Sequence, residues 1–431
     1  MSDLFPRRYA ICGVSARAIG MFLKPMVSEF TEYAEPVALL DIDPLRFKIA
    51  KEDVPQIAGV PEYKAEEFDK MVAETKPDVI LALGMDCTHV TYILQGLAHD
   101  LDVVSEKPMA TTSEDCRRIV AAEKRSKGKV ICSFNYRYPA IHRKMREMIL
   151  AGAVGRVTNV DLSWYIDTQH GASYFKRWNR IRANSGGLSI HKASHHFDLV
   201  NWLIDGVPDT VHAFGALNYY GPDGEYNPSR KDGRTCGDCA ERAKCRYYRR
   251  WATRSSALKV VDDHIGAFAG SRKQYTDYRP DRCIFDSAID IEDTYVANIR
   301  YANGALLNYS CNFSMPYEGY RLAINGTKGR IETQEWHAPF RTPFPIEHER
   351  QYIDYFPIFG SQERFYAVEN EGGHGGGDPL IREDIFIEPD PERPYAILSG
   401  AQEAWHSVAI GEAVWRSVKE EQIIHLDFSL D

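Results

Sequence analysis

No run in this 431-residue chain is apolar for long enough to span a bilayer, so a membrane-spanning helix is not expected. The short apolar run after Arg7-Arg8 is broken by Gly13, Ser15 and Arg17, so an export segment is not expected there. Positive charge is in deficit: 52 lysines and arginines face 61 aspartates and glutamates, a net charge of −9. Binding phosphates needs a basic surface, so nucleic acid is excluded as the main partner. The nine cysteines come without an export signal and imply a reducing, cytoplasmic setting with thiols free or on metal. The chain is too long for one ordinary core, so two domains are expected.

In the first half, short apolar runs alternate with helical patterns. Residues 9–13, 37–41, 78–83, 101–105 and 129–133 read as strands, and the pattern at Ile19, Phe22, Leu23, Met26 and Val27 as a helix. Continuous apolar strands alternating with helices predict a doubly wound parallel sheet covered on both faces. Ligands of such sheets bind beyond the carboxyl ends of the strands.

Glycine is scarce in the first turn of that sheet. Gly13-Val14-Ser15-Ala16-Arg17-Ala18 keeps only the first glycine of the dinucleotide fingerprint, with Ser15 and Ala18 in place of the second and third. Asp41, ending the second strand, can accept both ribose hydroxyls of an adenosine and would repel a 2′-phosphate. That pattern favours NAD over NADP, a preference that Arg46 nearby would soften. Lys107, in Glu106-Lys107-Pro108, follows the strand ending at Ser105 and points into the ligand crevice. An ammonium there can stabilise a developing alkoxide.

The densest chemistry is at 186–198, Gly-Gly-Leu-Ser-Ile-His-Lys-Ala-Ser-His-His-Phe-Asp. Read as one helix, it brings His191, Lys192, His195 and Asp198 onto a single face. An imidazole beside a cation and a carboxylate suits proton transfer near neutrality.

Taken in order, the first turn, Asp41, Glu106-Lys107-Pro108, Asn135-Tyr136-Arg137-Tyr138 and the 186–198 stretch resemble the glucose–fructose oxidoreductase / inositol dehydrogenase family. The resemblance covers nearly the whole chain. It implies an N-terminal Rossmann domain, placed at 1–134, and a C-terminal α/β domain at 135–431 with a large, open, mostly antiparallel sheet. It also implies hydride transfer between NAD(P) and a sugar or polyol. Lys107 matches the family's lysine, His195 its catalytic histidine and Asp198 the aspartate three residues on. His191 stands where many members carry aspartate. By the same resemblance the cofactor-binding set is Gly13, Ser15, Ala16, Arg17, Asp41, Arg46, Glu106, Lys107, Asn135, Arg137 and Trp178. The substrate-binding set is Lys107, Arg137, Arg177, His191, Lys192, His195 and His374. A homo-oligomer, dimer or tetramer, is expected.

The second half reads as strands at 210–219, 294–301, 305–313 and 320–325, with a final helix near 400–420 that returns to the first domain. An insertion at 221–291 is too long for a plain loop. Its Cys236, Cys239 and Cys245, with Cys283 or His264 as fourth ligand, could hold a structural zinc; free thiols or a disulfide are the alternatives. The loop 372–378, with His374 and Asp378, and the segment 316–321 are candidates to face substrate. Three functions remain open from sequence: a sugar or polyol dehydrogenase, a glycosidase that holds NAD and oxidises its substrate transiently, and an NAD-binding sensor without turnover.

Overall fold

The computed structural model describes residues 6–248, 275–276, 278–279, 281–338, 344–345, 351–367 and 373–430, with backbone only at 373–374. Six strands, β1 (Arg7–Cys12), β2 (Ala34–Asp41), β3 (Glu62–Lys64), β4 (Val79–Ala82), β5 (Asp102–Ser105) and β6 (Val130–Cys132), form a parallel sheet in the order β3-β2-β1-β4-β5-β6. This is the strand order of a dinucleotide-binding sheet, with its switch point between β1 and β4. The strands are apolar throughout because both faces are covered: Tyr9 to Cys12 and Ile80 to Ala82 are fully buried. Helices α1 (Pro44–Asp53), α2 (Phe68–Thr75), α3 (Asp86–Ala98) and α4 (Ser113–Glu123) cover it. Asp43 caps α1 through Leu45 N–H, and Thr112 caps α4 through Asp115 N–H.

After α5 (Ala140–Leu150) the chain enters a second sheet of nine strands. These are β7 (Val157–Asp167), β8 (Pro208–Ala216), β9 (Thr294–Tyr301), β10 (Leu306–Met315), β11 (Glu318–Gly326), β12 (Gly329–His337), β13 (Tyr352–Pro357), β14 (Glu363–Tyr366) and a late β16 (Ile424–His425). Their order is β14-β13-β12-β11-β7-β10-β9-β8-β16, antiparallel except for the β7–β10 pair. The sequence reading missed β7, the strand between β11 and β10. Its Val160, Leu162, Trp164 and Ile166 alternate inward with the period of a strand.

Between β7 and β8 lie α6 (Thr168–Lys176) and α7 (Ser194–Ile204). Asp167 caps α6 through the N–H groups of Gln169 and His170. The 186–198 stretch is not one helix. Gly186 and Gly187 turn with φ of 72° and 83°, Leu188–His191 forms a single turn, and α7 starts at Ser194. Lys192 and Ala193 therefore break the expected common face.

The C-terminal segment ties the two sheets together. Gly373–Phe386 forms α8, where a flexible loop was expected at 372–378. Strand β15 (Ser399–Gly400) adds antiparallel to the β6 edge. The last helix, α9 (Ala401–Glu420), packs on both parts: Trp405 Nε1 donates to Ser113 Oγ in α4, and Ala213 N–H in β8 donates to Ser417 Oγ. No helix among the described residues is long and apolar enough to cross a membrane.

Candidate active site

The carboxyl ends of β1, β2, β4, β5 and β6 open onto one crevice. Gly13 ends β1 with φ of 90°, and a Cβ there would sit 2.3 Å from Gly84 N, so only glycine lets the first turn lie against the end of β4. Asp41 closes β2. Its carboxylate accepts the N–H of Val14 at 2.7 Å and of Asp43 at 3.1 Å. Burial pushes its pKa up, and those backbone donors hold it down. Ser15 Oγ accepts Ala18 N–H at 3.1 Å, which fixes the turn through Ala16. Arg46 is buried, with Nε donating to Val14 O at 2.7 Å and the guanidinium 5.0 Å from the Tyr275 ring. Arg46 thus braces the turn.

A second ionic cluster lies further along the crevice. Arg17 donates to Glu106 at 2.9 Å and to both oxygens of Asp378 at 3.1 Å. Asn135 Nδ2 donates to the same Asp378 at 2.7 Å. Asp378 comes from α8, so the predicted glycine-rich segment does reach this site, by its carboxylate. The side chain of His374 lies outside the described residues. Asn135 Oδ1 and Ser133 Oγ, beyond β6, are buried without a hydrogen-bond partner in the protein. Unmet polar atoms at these strand ends, with Asp41 at the ribose end, fit a dinucleotide in the crevice.

Lys107 is half-buried just past the end of β5, and its ammonium donates to His191 O at 2.9 Å. Burial pushes its pKa down to about 8, against the pull of Asp86 and Glu106. Asp86, the first residue of α3, meets His191 Nδ1 at 2.5 Å. Burial raises Asp86 to about 7, against His89 and Lys107. Burial, then the cations Lys107, Arg177 and Lys192, holds His191 well below the imidazole range. Asn179 Nδ2 lies 3.1 Å from His191 Nε2, and Trp178 stands edge-on to the ring at 5.5 Å. Both nitrogens of His191 are therefore engaged, which makes it a brace for Lys107 more than a mobile base.

His195, in the first turn of α7, is buried and edge-on to Tyr136 at 4.9 Å and Phe134 at 5.7 Å. The Lys192 ammonium lies 5.4 Å from the same Tyr136 ring and 5.9 Å from that of Trp164. Tyr136 thus lies against both His195 and Lys192. Asp198 lies one turn further along α7. It forms a buried bidentate pair with Arg137, at 2.7 and 2.5 Å, and also accepts from Ser399 Oγ at 3.3 Å. Arg137 also donates to the carbonyls of Ile397 and Leu398. Arg137 and Asp198 thus form a buried pair that ties α7 to the segment before β15. Arg177 folds back onto Ser173 O at 3.0 Å.

The insertion does not assemble the expected zinc site: among the described residues no group of three or more His, Cys, Asp or Glu is placed to hold a metal. A short antiparallel bridge, Thr235 to Arg282, sets Cys236 and Cys283 on neighbouring strands. The Cys236 thiol instead meets the buried Lys176 ammonium, while Cys245 and Cys283 pack on the apolar core. Burial pushes the Cys283 thiol up to about 11. His264 lies outside the described residues. Asp86 and Asn179 were missed by the sequence reading, because neither sits in a recognisable motif; only the fold brings them to His191.

Residues 7–134 match the family described as "Oxidoreductase family, NAD-binding Rossmann fold", and residues 146–426 match its C-terminal alpha/beta domain. YteT of Bacillus subtilis (strain 168), named as an oxidoreductase, is 55% identical over 419 residues, 97% of each chain. An inositol 2-dehydrogenase of Saccharopolyspora erythraea is 34% identical over 123 residues, 28% of this chain and 35% of that one. Among solved structures, the WlbA dehydrogenase of Bordetella pertussis, in complex with NADH and UDP-GlcNAcA, shares the fold at a TM-score of 0.64 and 18% identity over 99% of each chain. The aldose-aldose oxidoreductase of Caulobacter crescentus, complexed with glycerol, has a TM-score of 0.63 at 18% identity over 97% of this chain and 99% of that one.

Proposed function

The chain belongs to the glucose–fructose oxidoreductase / inositol dehydrogenase (Gfo/Idh/MocA) family of oxidoreductases, and from that premise we propose that it moves a hydride between NAD and a secondary alcohol of a sugar, polyol or sugar derivative. The observation that carries this reading is the half-buried Lys107 ammonium, braced by the Asp86–His191 pair at the carboxyl end of β5. A cation partly withdrawn from water there is worth more to a developing alkoxide than one in solvent. When bound, NAD supplies the hydride acceptor. Gly13, Ser15 and Asp41 would hold its adenosine half, with Arg17, Glu106 and Asn135 further along. Lys107 steadies the substrate oxygen, and His195 takes the hydroxyl proton. Lys192 adds positive charge beside it, and Trp178 walls the pocket on the His191 side. The protein acts as a homo-oligomer on a small sugar-like molecule.

The test is to measure NAD(H) carried by the purified protein and then to screen sugars and polyols for NADH formation. Steady NADH with a free sugar supports the dehydrogenase. Release of an aglycone without net NADH replaces it with the redox-assisted glycosidase. NAD binding with no turnover across the panel leaves only the sensor.

A further inference from the structure

Three side chains outside that set form a continuous hydrogen-bonded chain. Glu318, at the start of β11, is buried, and its carboxylate oxygens lie 2.9 and 3.0 Å from His170 Nδ1. His170 Nε2 lies 2.8 Å from the Tyr174 hydroxyl. His170 and Tyr174 are four residues apart on α6, so they share one helix face. With Nδ1–H donating to the carboxylate, Nε2 is left to accept the phenol proton.

The chain leads from the pocket wall outward. Tyr174 is buried, with its ring edge-on to His191 at 5.4 Å and to Phe313 at 5.8 Å. Lys192 and Arg177 bear on its phenol electrostatically. The His170 side chain is 30% exposed, so a proton that reaches it can pass to water. Oxidation of one alcohol releases one proton, and His195 accepts it. A second imidazole–carboxylate pair ending in a phenol at the same pocket exceeds that need.

We propose that Tyr174, His170 and Glu318 are a second proton relay, which moves a carbon-bound proton on the carbon next to the oxidised one. The inference rests on the oxidoreductase reading, because the ketone it forms is what acidifies that C–H. The C–H bond breaks and its electron pair becomes the enolate of the ketone. The proton goes to the Tyr174 oxygen while the phenol's own proton passes to His170 Nε2. The imidazolium so formed stays paired to Glu318 through Nδ1–H. Reversal delivers a solvent-derived proton to the carbon. The substrate class is therefore a polyhydroxylated ring or chain with a C–H beside the oxidised carbinol.

The ketone can be supplied directly, which separates this step from hydride transfer. Cofactor-free protein in D2O is given 2-keto-myo-inositol or 5-keto-D-gluconate, and proton NMR follows the C–H signals beside the carbonyl. The expected result is loss of those signals faster than in protein-free buffer, slowed roughly tenfold or more by Tyr174→Phe. Tyr174→Phe keeps the ring that packs on His191 and Phe313, and an unchanged thermal midpoint checks its fold. Glu318→Gln, which leaves the imidazole without its carboxylate, should also slow exchange. Exchange no faster than buffer with both ketones, or unchanged in well-folded Tyr174→Phe, overturns the relay. Exchange in a protein that never forms NADH from any polyol keeps the relay and removes the hydride chemistry.

Discussion

The two ends of the crevice treat charge in opposite ways. At the first turn and along α8, Arg17 forms ion pairs with Glu106 and Asp378, its own side chain reaching solvent. Around His191, burial drives Lys107 down, Asp86 up and His191 down, each toward its neutral form. Fixed charges give shape and hold a cofactor; groups poised near their neutral forms exchange protons. One crevice thus carries a rigid end and a reactive end, and each predicts a different kinetic signature.

The largest effects should come at the reactive end. Lys107→Ala and His195→Ala should each lower kcat by roughly 10²–10⁴ with NAD binding largely kept. The double variant should lose less than the product of the two, because both act in one transition state. Cofactor titration beside steady-state rates checks this; a His195→Ala enzyme with near-native rate would make His195 structural and erase the contrast.

Next in size is the buried pair between Arg137 and Asp198. Removing one partner leaves the other charged and enclosed, at a cost of about 3–5 kcal/mol in stability. Denaturant unfolding of Asp198→Ala should show that loss. If Asp198 oriented His195 instead, kcat would fall with stability unchanged.

The pH profile sharpens the comparison. Lys107 helps only as a cation, and its pKa is depressed from the usual lysine value to about 8. Oxidation should therefore be full on the acid side of that value, as far as Lys107 is concerned, and fall as pH rises through it. Lys107→Arg, which stays charged, should flatten the alkaline limb even where its rate is lower. An unaltered alkaline limb in that variant would assign the titration to another group.

The smallest effect belongs to the rigid end. Asp41→Ala should weaken NAD by about 1–3 kcal/mol and raise the NADP/NAD preference. Because Asp41 also holds the Val14 N–H, both cofactors should lose some affinity. Isothermal titration with each would separate the two losses, and an unchanged preference would remove Asp41 from specificity.

Much of the rigid end was legible in sequence, since strand ends are marked by the residues that terminate apolar runs, as at Gly13, Asp41 and Glu106. Strand β7 was equally legible: Val160, Leu162, Trp164 and Ile166 alternate cleanly, and only attention to helical motifs hid it. Asp86 was not, because its meaning depends on α3 lying beside the turn at His191, 105 residues away. Asp198 is a related case. It lies one turn after His195 on α7, as helical spacing predicts, but its pairing with Arg137, 61 residues away, is set only by the fold.

Strand β15 has a consequence for the order in which this protein can be made. The β6 edge receives Ser399–Gly400, and Arg137 grips the carbonyls of Ile397 and Leu398 just before it. The first sheet, although its six parallel strands are all translated early, keeps this edge open until Ser399–Gly400 are made, after strands β7 to β14 of the second sheet. A nascent chain stalled within the second sheet would therefore present the β6 edge to whatever strand arrives first.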